Sequence, residues 1–172
     1  DLRLARFEGK DPGLEKYDRV NDLLRKSFLK RAQRKFIEAI TLTAEAIKIA
    51  PNRAYTHHSK STAHSNYVAF SNLSAVAKLH HRELAVTHSK KALELRPNDV
   101  DYLLSAAFGI ASLKHEQALT RSERFKDVPE TAAVARNVLT MEGLEPITIA
   151  RAYNVLFASS ASALDRVKWT SK

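Results

Sequence analysis

One phrase occurs twice in this chain, 46 residues apart. Ala39-Ile40-Thr41 followed by Ala46-Ile47-Lys48-Ile49-Ala50-Pro51-Asn52 returns as Ala85-Val86-Thr87 followed by Ala92-Leu93-Glu94-Leu95-Arg96-Pro97-Asn98. Small residues seven apart lie on one face of a helix and let a neighbouring helix approach closely. The proline that follows cannot extend that helix. The phrase therefore reads as the second helix of a helix-turn-helix unit, and such units bury their apolar faces only by stacking on one another. Arrays of this kind commonly hold other proteins, so an interaction scaffold is the leading expectation.

Composition agrees with this and removes several alternatives. At 172 residues and 44% hydrophobic, the chain is long enough to bury a core without metal or disulfide support. It has no cysteine, which excludes a disulfide framework, a thiolate metal site and a cysteine nucleophile, and favours an intracellular setting. Four glycines and five prolines, mostly at the edges of apolar-periodic stretches, predict an all-α chain of long helices joined by short turns. No stretch approaches the roughly 18 apolar residues of a membrane span, and the first residues lack the apolar core of a signal peptide. The chain begins at Asp1, which suits a piece of a longer protein. A formal charge of +9 suits an acidic partner such as an acidic peptide, RNA or a membrane surface.

Along the chain, residues 1–18 carry Gly9, Pro12 and Gly13 among mixed charges and read as a loosely ordered lead-in. A helical-repeat domain follows over 19–158, with a polar tail over 159–172. Val20, Leu23, Leu24, Ser27 and Phe28 are spaced for an amphipathic helix, as are Phe36, Ile37, Ile40, Ala44 and Ile47, with Phe28 and Phe36 assigned to the core. No Gly or Pro separates these two helices between Lys30 and Lys35. Asn52 and Asn98 are placed to cap the next helices, with Asp99 and Asp101 favouring the positive helix start. A helix from about Arg53 to Phe70 is followed by Ser71 to His81, which either prolongs it or forms a long turn. The helix from Asp99 to about Leu119 is apolar nearly all round and belongs at the centre. A weaker third echo runs from Thr131 to Gly143, and Pro129 and Pro146 open the last two helices.

The Ala-x6-Ala-aliphatic-x-aliphatic-x-Pro-Asn pattern resembles the tetratricopeptide superfamily, whose first helices line a concave face. The resemblance implies an α-solenoid of about six or seven antiparallel helices. His57 and Ser61 stand where that superfamily has a large aromatic and Gly, and Leu103 and Ala107 do so in the next unit. Ala54-x2-His57-x4-Thr62, Ala85-x4-Lys90-Lys91-Ala92-Leu93-Glu94-Leu95-x-Pro97-Asn98 and Glu145-Pro146-Ile147 are together similar to the N-terminal helical domain of unknown function in plant ubiquitin carboxyl-terminal hydrolase-related proteins. That likeness implies a structural N-terminal region of a larger protein, with no hydrolase chemistry in these residues. Leu24, Phe28, Ser59, Asp101 and Ser105 occupy the positions of the carboxylate clamp of chaperone-binding relatives, so heat-shock chaperone tails are not expected partners.

Catalytic and cofactor chemistry find little support. Zinc needs three or four ligands converging at about 2.0–2.1 Å. Although seven histidines are present, His57 with His64 and His81 with His88 are seven apart, two helical turns along one face and too far for shared chelation. Asp99 and Asp101 are accounted for by helix-start electrostatics, and no glycine-rich phosphate loop occurs. The expectation is a non-enzymatic protein without metal or cofactor.

Two patches remain as candidate binding surfaces. Arg25, Lys26, Lys30, Arg31, Arg34 and Lys35 form a basic run with no acid from Leu23 to Ile37, read either as a solvated face or as an RNA-contacting one. Ala46 to Arg82 contains no acid either, while holding five histidines. On the first helix of a repeat, His57, Lys60, Ser61, His64 and Ser65 would line a polar, faintly positive groove for an acidic or phosphorylated protein segment. Binding there is expected to strengthen as histidines protonate below about pH 6.5.

Overall fold

The computed structural model describes residues 12–124 and 126–161, with side chains from Lys16 onward. Among the described residues it contains seven helices and no strand: α1 (Pro12–Ala32), α2 (Phe36–Ile49), α3 (Ala54–Phe70), α4 (Ala75–Leu95), α5 (Val100–Thr120), α6 (Pro129–Leu139) and α7 (Pro146–Ser159). The first helix thus begins inside the expected lead-in, while residues 1–11 and most of the polar tail, 162–172, lie outside the described residues. No helix among the described residues is long and apolar enough to cross a membrane.

The repeated phrase produces a repeated turn. After α2, the Ala50 N–H donates to the Ala46 carbonyl at 2.9 Å and Arg53 to Ala50 at 3.2 Å. After α4, Arg96 donates to Ala92 at 3.1 Å and Asp99 to Arg96 at 3.2 Å. These tight turns hold Asn52 and Asn98 within them, so the cap positions fall one residue later than expected. Asp99 Oδ1 accepts from the Tyr102 N–H at 3.2 Å, whereas Arg53 supplies no side-chain cap to α3.

Two helix ends use a device without a glycine. Arg34 and Ser122 have φ of 59° and 57°. Lys35 then donates to the Lys30 carbonyl and Arg34 to that of Arg31, while Glu123 donates to Ala118 and Ser122 to Leu119. This is the paired hydrogen-bond pattern of a Schellman ending, normally built on Gly. It explains why no stop signal is visible between Lys30 and Lys35. Gly143, with φ of 68°, does not stop α6, which ends at Leu139 with Thr140 as its C-cap, but turns the chain between α6 and α7. Ser71 to Ser74 form a short connection, and Ser74 Oγ caps α4 by accepting from the Ala77 N–H at 3.3 Å.

Each helix packs on its chain neighbours, and the odd-numbered helices also meet: α1 with α3, α3 with α5, and α5 with α7. Ala39, Ala46, Ala85 and Ala92 are all buried, at 0–1% exposure, as close helix approach requires. One apolar cluster joins α5, α6 and α7 through Leu104, Ala135, Val138 and Val155. A second joins α1 to α2 through Val20, Leu23, Leu24 and Ala46. A third, smaller one comprises Ala54, Ala92 and Tyr102. Phe36 is buried, but Phe28 is 60% exposed and leaves the core to which its spacing assigned it.

Candidate functional site

The meeting of the odd-numbered helices creates an open trough of about 630 Å³, lined from α1, α3, α5 and α7. Phe28 and Phe108, both exposed, supply apolar walls from α1 and α5. Ser61, Ser65 and Asn66 of α3, with Asn154 of α7, supply hydrogen-bonding groups. Four of the five positions identified with a family clamp, Phe28, Ser59, Asp101 and Ser105, come together here. Leu24, the fifth, belongs to the core between α1 and α2.

The charges in the trough are unevenly satisfied. Arg151 Nη1 of α7 donates to Asp101 Oδ1 of α5 at 2.6 Å, and Asp99 is engaged as the cap of α5. Arg31 instead lies against an aromatic face, its guanidinium carbon 5.5 Å from the centroid of the Phe28 ring. Its Nε is buried without a hydrogen-bond partner. Burial lowers the Arg31 pKa from its ordinary value, yet an arginine retains its charge in proteins. His58 stands between Tyr55 and Tyr102, at centroid distances of 6.3 and 5.1 Å, and its Nδ1 is also buried without a partner. Burial, followed by the Arg151 charge, holds its pKa below the usual imidazole range. The trough thus presents a neutral imidazole and a cation that no carboxylate among the described residues neutralises.

The expected lining set is divided. Ser61 and Ser65 line the trough, but His57 and His64 are buried on the side of α3 that faces α4. His57 Nδ1 lies 3.1 Å from His88 Nδ1, and His64 Nδ1 lies 2.9 Å from His81 Nδ1. The two pairs run in opposite directions, as antiparallel neighbours must. His57 Nε2 is 2.8 Å from the Pro51 carbonyl, which only accepts, so that nitrogen carries a proton. In the neutral pair, His57 Nδ1 is then the acceptor and His88 Nδ1–H the donor.

Within this seam His64 and His88 resist protonation. Burial first, then neighbouring histidines and Lys60, push His64 down to about 3. Burial, Lys60 and His57 push His88 down to about 4. Lys60 is itself half-buried, and burial lowers its pKa. These groups cannot supply the expected strengthening of binding below pH 6.5, because their hydrogen-bonding capacity serves helix packing. No group of three or more potential ligands among the described residues is arranged to hold a metal ion.

The basic run is dispersed as well. Arg25 and Lys26 pair with Asp22 at 2.9 and 2.6 Å, and Lys30 pairs with Glu38, the acids just outside the acid-free stretch. Arg31 enters the trough, Arg34 sits in the turn with its guanidinium 6.0 Å from the Phe70 ring centroid, and Lys35 is exposed at the start of α2. Sequence reasoning missed His58, Tyr55, Phe108, Arg151 and Asn154, which converge only through packing. It also missed the partnership of His81 and His88 with α3, although two pairs spaced by seven were a visible signal.

Fold and site together define an all-α protein of packed helix pairs with an open, mixed apolar and polar trough across its odd-numbered helices. Compared with known proteins, the chain matches no family model, and no curated protein matches it.

Proposed function

We propose that this chain is a tetratricopeptide-like α-solenoid acting as a non-catalytic scaffold, which binds a protein segment in the trough formed by α1, α3, α5 and α7. The observation that carries this reading is the pair of buried, unpartnered polar atoms, Arg31 Nε and His58 Nδ1, at the trough lining. Buried polar groups are nearly always hydrogen-bonded, so such atoms mark where an occupant contributes. Beside the exposed Phe28 and Phe108, they select a segment with a carboxylate close to an apolar side chain. The Lys90–Asn98 block and the repeated turn support relating the chain to the plant ubiquitin carboxyl-terminal hydrolase-related proteins, as a structural, intracellular region of a larger protein.

Fluorescence anisotropy with short peptides, each pairing one Asp or Glu with one Leu or Phe, tests the reading against the matching Asn or Gln peptides. The acidic members should bind at least tenfold more tightly, and Arg31→Glu should abolish that preference. Equal binding of acidic and neutral peptides, or a preference untouched by Arg31→Glu, would exclude it. RNA as the ligand is less favoured, because three of the six cations of the basic run are paired with Asp22 and Glu38.

A further inference from the structure

A second cleft, of about 680 Å³, lies where the turns after α2 and α4 meet the beginning of α1. Among the described residues its charged lining is wholly basic, comprising Lys16, Arg53 and Arg96 with no carboxylate. Arg53 Nη1 is buried without a partner, and its guanidinium carbon is 5.9 Å from the Tyr17 ring centroid. Among the described residues neither Lys16 nor Arg53 is ion-paired, and Arg96 reaches Asp99 only at 3.8 Å. Tyr17 and Tyr55 present exposed rings at this cleft, and Tyr55 and Tyr102 line both it and the trough.

We propose that this cleft binds a phosphate monoester whose molecule also carries an aromatic or heteroaromatic ring. Three cations from three separate segments exceed what a single carboxylate neutralises and match a dianion. Arginine forks and lysine are the usual phosphate donors. The tyrosine rings offer stacking faces that inorganic phosphate would leave unused. The volume lies in the range of small-ligand sites, about 300–1,000 Å³. The first turn of α3, which opens on the cleft, carries no acidic residue to repel the ligand. Two sources present this chemistry, a phosphotyrosine side chain and a nucleotide. The inference does not depend on what the trough holds.

Isothermal titration of the whole chain with phenyl phosphate and adenosine monophosphate, against phenol, adenosine and inorganic phosphate, tests it. At least one ring phosphate should bind tenfold or more tightly than both its unphosphorylated parent and inorganic phosphate. That binding should weaken at least tenfold in Arg53→Gln and in the Lys16→Gln, Arg96→Gln double variant. A preference for phenyl phosphate identifies phosphotyrosine as the source, and a preference for adenosine monophosphate a nucleotide. Should Arg53→Gln lower the melting temperature, the double variant decides, since it leaves the start of α3 intact. The proposal is overturned if neither ring phosphate outbinds its parent, or if binding survives in the double variant.

Discussion

A histidine pair buried between two helices is favourable only while its rings avoid a second charge. In the seam between α3 and α4, His64 and His88 face His81 and His57 across the helix pair, with Lys60 and His80 adding repulsion to any proton gained. Their folded pKa values, about 3 and about 4, lie below the ordinary 6.5. Stability from the neutral seam is therefore fully present above about pH 6.5. It falls as pH drops, because the unfolded chain binds protons that the folded chain refuses. By pH 5 each of the two histidines should cost about 2 kcal/mol. Urea midpoints of the wild type should fall between pH 7 and pH 5, and a His64→Gln, His88→Gln double variant should lose most of that slope. A wild-type midpoint that does not move with pH would show that the seam tolerates charge.

Among the helices and their ends, close approach and turn geometry make separate demands. Ala46 and Ala92 are fully buried at equivalent places in the two copies of the repeated phrase, each in a different apolar cluster. Ala46→Leu and Ala92→Leu should each cost about 1–3 kcal/mol by overpacking. Unchanged denaturant midpoints in both variants would contradict close packing at the repeat joints. At the end of α5, Ser122 holds a left-handed conformation with no glycine to ease it. Ser122→Gly should stabilise the protein by about 0.5–1 kcal/mol, read as a rise in the urea midpoint. A lower midpoint would mean that the hydroxyl contributes more than the backbone relief.

Across the whole molecule, a formal charge of +9 is unevenly available, because Asp22 and Glu38, the acids flanking the basic run, pair with three of its six cations. No tight RNA complex is expected at physiological salt. A phosphate-binding face would lose affinity as salt rises, with a log-log slope near 0.7 per single-strand phosphate contact. A nanomolar RNA complex abolished by reversing Lys30, Arg31 and Arg34 would replace the trough by that face. The trough itself belongs to no single segment. Its lining spans Phe28 of α1 to Val155 of α7, so weakening any odd-numbered helix should weaken peptide binding.

Local chemistry was legible in the sequence because it acts between residues near in the chain. Helix spacing, the proline-stopped turns, the first-turn prolines Pro129 and Pro146, and the small residues at the crossings were all readable by that route. The non-glycine endings at Arg34 and Ser122 were not, because their residue types carry no left-handed preference. Which face of α3 meets α4 was also undetermined, since its polar side chains suit a wet groove as well as a satisfied interhelical seam. Only packing chose between them, by setting His88 and His81 opposite His57 and His64. The same packing brought Arg31 and His58 into one trough, a juxtaposition that depends on how α1 and α3 meet and that no spacing along the chain encodes.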